Sequence, residues 1–158
     1  MDAGRRKILK GTGGLAVMGM AASAGFLGSS AAHAQAAAWN KAAFDTKNLN
    51  DTVKALGGSA ASESKDIMIT SPDIAENGAV VPFSISSKLP KTETMALLVE
   101  KNPNMLVANF TIPGGTEAAV TTRAKMGQTS NVVALVKADG KFYYAVKEVK
   151  VTLGGCGG

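Results

Sequence analysis

Histidine is almost missing from this chain: His33 is the only one among 158 residues. Cysteine is as scarce, with Cys156 alone, and aromatic residues make up only 5%. One cysteine cannot close an internal disulfide or form a C-x-x-C redox pair. One histidine and one cysteine cannot supply the clustered ligands that hold zinc, copper or haem iron. Met68, Met95, Met105 and Met126 have no spacing suited to thioether ligation of copper. No metal or other resident cofactor is expected. Carboxylate-based hydrolysis stays open in principle, but the acidic residues are scattered and none stands beside another.

The scarcity deepens once residues 1–34 are read as a targeting segment. Arg5, Arg6, Lys7 and Lys10 precede a Gly/Ala/Leu/Met run from Gly11 to Ala32, and Ala32-His33-Ala34 makes an A-x-A cleavage pattern. The arginine pair and the mild hydrophobicity of the run resemble a twin-arginine (Tat) signal, although Gly4 stands where Ser or Thr often precedes the pair. The alternative is an uncleaved amino-terminal anchor. The cleavage site and the lack of a second apolar span argue against it, so the expected product is periplasmic with no membrane span after cleavage. Cleavage removes His33, and with it any Ser-His-Asp or Cys-His nucleophile pair. It leaves 13 basic and 11 acidic residues, a net charge of +2 with the lysines dispersed, which disfavours a nucleic-acid surface.

Residues 35–153 are of a length to form one domain. Phe44, Leu49, Val53 and Leu56 recur at mixed three- and four-residue spacing, which predicts one short amphipathic helix over Ala42–Leu56 with Gly57-Gly58 as its stop. Ala60–Ser64 reads as a loop. From Lys65 onward the pattern is short β-rich runs cut by turn residues, giving seven strands: 67–70, 79–86, 95–100, 106–112, 119–126, 131–137 and 141–153. Asn77-Gly78 marks a tight turn and Asp139-Gly140 another. Pro82 cannot donate to a ladder, which predicts an edge strand or a bulge there. Mixed alternation in the last run predicts a register change near Ala145–Glu148. The whole is an all-β, immunoglobulin-like antiparallel sandwich of about seven strands, with a short N-terminal helix and a C-terminal arm. Phe142, Tyr143 and Tyr144 read as core or sheet-surface residues rather than a stacking platform. The position of Trp39 is left open by the sequence.

The arm is Gly154-Gly155-Cys156-Gly157-Gly158, a thiol with two glycines on each side. Glycine has no Cβ and moves through both halves of φ/ψ space, so such a segment has little reason to keep one conformation. Five extended residues reach roughly 16–18 Å, and four of these have no side chain to obstruct a narrow tunnel. The ionised thiol is a strong nucleophile whose bonds to sulfur reverse by exchange. Such a tail fits a carrier handle. It also fits an intermolecular disulfide on a structural exported domain, or an incidental cysteine.

Ile74-Ala75-Glu76-Asn77-Gly78-Ala79-Val80-Val81-Pro82, and the stretch from Ala138-Asp139-Gly140-Lys141-Phe142-Tyr143 through Lys147-Glu148-Val149-Lys150-Val151-Thr152-Leu153 into the closing pentapeptide, resemble the SoxY family of thiosulfate-oxidation sulfur carriers. The resemblance covers nearly all of residues 35–158, and nothing in the arm departs from it. It implies that Cys156 is the covalent attachment point for a sulfur substrate and that Gly154, Gly155, Gly157 and Gly158 form a swinging arm. It implies a heterodimer with a SoxZ-like sandwich subunit that lacks the arm. It further implies that the c-type cytochrome SoxAX loads thiosulfate, the manganese hydrolase SoxB releases sulfate and the sulfane dehydrogenase SoxCD oxidises the remaining sulfur. The carrier would then be no enzyme, in keeping with a mature chain that has no histidine and no second cysteine. Ubiquitin-like sulfur carriers also end in Gly-Gly, but they hold sulfur on the terminal carboxyl and need no thiol. An edge strand near Pro82, or an exposed sheet face, is the expected dimer surface.

Overall fold

A computed structural model describes residues 39–152. The targeting segment 1–34 and the arm 154–158 both lie outside the described residues, as does Leu153.

The chain begins with two short helices where one was expected: α1 (Lys41–Phe44) and α2 (Leu49–Ala55). The break has a local cause. Asn40 and Asn48 each act as an N-cap, their side-chain oxygens accepting from Ala43 N at 3.1 Å and Asp51 N at 2.9 Å. Thr46 Oγ1 turns back onto Ala43 O at 2.7 Å and meets Thr52 Oγ1 at 2.6 Å, so hydroxyls close the turn between the helices.

Nine strands follow among the described residues: β1 (Ala61–Glu63), β2 (Ile67–Thr70), β3 (Ile74–Ala75), β4 (Val81–Ser87), β5 (Thr92–Val99), β6 (Leu106–Thr111), β7 (Ala119–Ala124), β8 (Ser130–Ala138) and β9 (Lys141–Val151). The seven longer ones are those the sequence predicts; β1 and β3 are additions, and β1 occupies part of the stretch read as a loop. They form two sheets, one in the order β1-β9-β8-β5-β6 with β3 also on β9, the other β2-β4-β7. The long hairpin β8–β9 turns at Asp139 and Gly140, both with positive φ (49° and 74°), as a two-residue turn matched to strand twist requires. The ladders are antiparallel except at β1 and β3, which run parallel to β9.

Two expectations about register are corrected. Pro82 is not on an edge: β4 is the middle strand of its sheet, paired with β7 through Val81–Ser86 and with β2 through Ser84–Ser87. Because β2 stops opposite Ser84, no residue lies across from Pro82 on that side, and a strand without a donor there costs the ladder nothing. Nor does β9 shift register near Ala145–Glu148. Its pairing with β8 is unbroken from Ser130–Val149 to Ala138–Lys141, and the irregularities lie in β5, at Leu97/Leu98 against β6 and Thr92/Thr94 against β8.

The large sheet is covered on both faces. Phe83, Ile85, Met95, Leu97, Val99, Val132, Ala134, Val136 and Val149 fill the space between the sheets. Ala43 and Val53 of the helices pack on its other face against Ala96, Leu98, Val133, Leu135 and Phe142. This explains the near-continuous apolar runs Met95–Val99 and Val132–Val136, which a half-exposed strand would not need. Each fully buried aliphatic side chain contributes about 1.5–3 kcal/mol.

Candidate functional site: the root of the C-terminal arm

The thiol and glycines singled out from sequence, Gly154, Gly155, Cys156, Gly157 and Gly158, come after Val151, Thr152 and Leu153 in the chain and lie outside the described residues; the structure describes the end of β9 that precedes them. On the side away from β8, β9 has two short parallel partners. Its beginning pairs with β1, Ala61 to Phe142 and Glu63 to Tyr144, and its end pairs with β3, Ile74 to Lys150 and Ala75 to Val151. Between Tyr144 and Lys150 no strand lies on that edge among the described residues.

Three segments converge on the last residues of β9. From the first, Asp73 O accepts from Lys150 N at 2.9 Å and Ala75 O accepts from Thr152 N at 3.1 Å. From the second, the hydroxyl of Thr129 accepts from Val151 N at 2.9 Å and makes a longer 3.5 Å contact to Val151 O. The third is the turn at Gly78, whose carbonyl accepts from Met126 N at 2.7 Å. A Cβ on Gly78 would stand 2.3 Å from Met126 O and 2.8 Å from Val151 Cγ1, so no larger residue fits without moving backbone.

The Asn77-Gly78 signal is therefore a turn, as expected, but its glycine answers a close approach. Gly78 is not among the residues of positive φ, and the turn runs from Asn77 to Val80, closed by Val80 N to Asn77 O at 3.4 Å and by Ala79 N to Asn77 Oδ1 at 2.9 Å.

Ahead of this junction Lys147 braces the approach to β3. Its Nζ donates to Ser71 O at 2.7 Å and stands 3.0 Å from the Asp73 carboxylate. The lysine is partly buried and the aspartate exposed, so the ion pair is worth at most about 1 kcal/mol, while the bond to Ser71 O ties the segment entering β3 to the strand it joins.

The other residues weighed from sequence have structural places. Phe142 is 4% exposed and belongs to the helix-side core, which Tyr144 joins, whereas Tyr143 packs toward the space between the sheets. Met95, Met105 and Met126 are buried, and Met68 is exposed on β2. Trp39 stacks on Phe44 with ring centroids 4.3 Å apart. No group of three or more potential metal-ligating His, Cys, Asp or Glu side chains occurs among the described residues. The residues that sequence reasoning missed are Asp73, Ala75, Met126 and Thr129. Of these only Ala75 lies in the run Ile74–Pro82, which was singled out for its resemblance and not for its place beside the end of β9.

Comparison with known proteins agrees with that resemblance. A family model described as the sulfur oxidation protein SoxY matches residues 53–156. No curated protein matches the chain. Among solved structures, the sulfur carrier protein SoxY from Chlorobium limicola f thiosulfatophilum is 38% identical, with 65% of this chain covering 94% of that one at a TM-score of 0.60. Superoxide reductases from Ignicoccus hospitalis and Nanoarchaeum equitans are 18% and 12% identical, with 54% and 57% of this chain covering 80% and 100% of theirs, at TM-scores of 0.46 and 0.47. At those scores the likeness carries no argument.

Proposed function

Because the chain belongs to the SoxY family of sulfur oxidation proteins, we propose that it is a periplasmic carrier that holds thiosulfate-derived sulfur covalently on Cys156. The observation that carries this reading is where the anchored strand stops. Thr152, held by Ala75, precedes the only cysteine of the chain by four positions, three of them Leu153, Gly154 and Gly155. On this reading the thiol is the handle by which partner enzymes reach the sulfur.

The chemistry balances with the carrier as attachment point only. The thiolate and thiosulfate join as Cys–S–S–SO3⁻ with loss of two electrons, which a c-type cytochrome of the SoxAX kind accepts. Water then cleaves the terminal S–S bond, releasing sulfate and two protons and leaving the persulfide Cys–S–S⁻. That step belongs to a manganese hydrolase of the SoxB kind, and oxidation of the remaining sulfane sulfur belongs to a SoxCD-type dehydrogenase. This chain catalyses none of these steps. It positions the thiol, its glycines let the adduct enter each partner in turn, and a SoxZ-like subunit completes the carrier.

Intact mass spectrometry of protein isolated from the periplasm of thiosulfate-fed cells tests the reading. Sulfur and sulfonate adducts are expected on the wild type and absent from Cys156→Ser. A wild type without adducts, or a serine variant carrying the same ones, would overturn it.

A further inference from the structure

The end of β9 is held by hydrogen bonds beyond the last fully buried residue of the strand. The last fully buried residue of the strand is Val149; Val151 is half-buried at the margin of the same core, and Lys150 and Thr152 are exposed. Yet Lys150, Val151 and Thr152 each have their amide hydrogen bonded, to Asp73 O, Thr129 Oγ1 and Ala75 O respectively. A two-residue parallel pairing such as β3 with β9 has little stability of its own. Thr129 and the bare face of Gly78 supply what the pairing lacks. Both sit on loops that could have passed elsewhere.

Resting on the carrier reading, we propose that Asp73–Gly78 with Met126 and Thr129 forms an anchor whose function is to fix the pivot of the arm at Thr152. With the pivot there, four residue steps separate Thr152 from Cys156, a reach of roughly 13–14 Å at ~3.3–3.6 Å per step. Without the anchor the pivot retreats to Val149, seven steps away, and the reach grows to roughly 23–25 Å. The longer tether would lower the effective concentration of the thiol at a docked partner about twofold, since this falls roughly as the −3/2 power of tether length. It would also let the sulfur adduct fold back over the sheet. Thr129 acts as a positioning residue and touches no substrate.

The test uses the single cysteine of the purified chain. A nitroxide is attached to Cys156, and paramagnetic broadening of backbone amides maps the region it visits in the wild type, Thr129→Val and Thr129→Ser. Amide exchange is measured at Val151 and Thr152, with Val133 and Leu135 as core controls. In Thr129→Val exchange at Val151 and Thr152 is expected to rise about fivefold, the equivalent of one lost hydrogen bond, with the core controls unchanged. The broadened region should widen, and Thr129→Ser should restore both. Equal footprints and equal exchange in wild type and Thr129→Val would overturn the anchor. So would acceleration of the core amides to the same extent, which would make Thr129 a residue of general stability. Neither readout involves sulfur chemistry, so absence of adducts on Cys156 would overturn the carrier reading and leave the anchor standing.

Discussion

The two ends of β9 are held on one edge by the same device, a short parallel strand, with opposite chemistry. At the beginning, β1 joins a strand whose Phe142 is buried under α2, with Gly58 so close that a Cβ there would stand 2.5 Å from the Phe142 ring and 2.7 Å from Val53. At the other end, β3 buries only Ala75 and leaves Ile74 56% exposed, and the end of β9 is held by hydrogen bonds that Lys150 N, Val151 N and Thr152 N donate to Asp73 O, Thr129 Oγ1 and Ala75 O. An apolar end contributes free energy in proportion to the area it hides, and it tolerates small displacements. A hydrogen-bonded end contributes little net free energy and fixes position closely. The first end stabilises the domain, and the second fixes the position of Thr152, the last described residue.

The sharpest way to break this contrast is Phe142→Ala. Truncating a buried aromatic costs about 3–5 kcal/mol, read as a large drop in the urea midpoint. Unfolding should be global, with no selective loosening of Val151. Gly78→Val comes next, at about 1–3 kcal/mol from overpacking against Met126 O and Val151. Its signature should be the reverse, with exchange at Lys150, Val151 and Thr152 rising more than in the core. Removing the N-cap of α2 with Asn48→Ala should cost about 1 kcal/mol and loosen only the apolar end, measured by thermal melting together with exchange in α2.

The smallest expected effect is a pH dependence confined to the beginning of β9. The Lys137 ammonium 2.7 Å away and the Gly140 N–H at 2.8 Å hold the Glu93 carboxyl below its usual range, and Lys91 at 2.9 Å does the same for Asp139. Carboxylates depressed in the folded state bind fewer protons there than in the unfolded chain. Their contribution is therefore present above the ordinary carboxylate pKa of about 4 and is lost as pH falls through the lowered folded values. All four side chains are solvent-accessible, so the loss should be modest and further reduced by salt. Chemical denaturation from pH 6 to pH 3 should show the decline, Glu93→Gln should flatten it, and exchange at Val151 and Thr152 should not follow it.

Where a strand is long and its environment uniform, its residues announce it. Met95–Val99 and Val132–Val136 are legible because two covered faces demand unbroken apolar runs. Ala61-Ser62-Glu63 is not, because nothing β-branched or aromatic marks it and its pairing with Phe142–Tyr144 comes from the far end of the domain. Pro82 misled for a related reason: the rule about its missing donor is sound, but only the length of β2 shows that the donor is not needed. The helix break was written in Thr46 and Asn48, whose capping chemistry was outweighed by the apolar spacing that runs across them. For the site, the thiol stood out by scarcity. Its anchor did not, since Thr129 and Gly78 are ordinary residues until the fold brings them against Val151.

The parallel pairing of β3 with β9 also has a consequence in time. Ile74 leaves the ribosome long before Lys150, and β1 likewise precedes Phe142, so neither short strand has its partner until the last described strand has been made. Contacts so distant along the chain form late, after the local hairpins β5–β6 and β8–β9 have drawn the ends together. Closure of the large sheet and seating of the chain's exit are thus the same late event. The order of synthesis thus leaves Lys150 to Thr152 without their partners on that edge until the rest of the large sheet is in place.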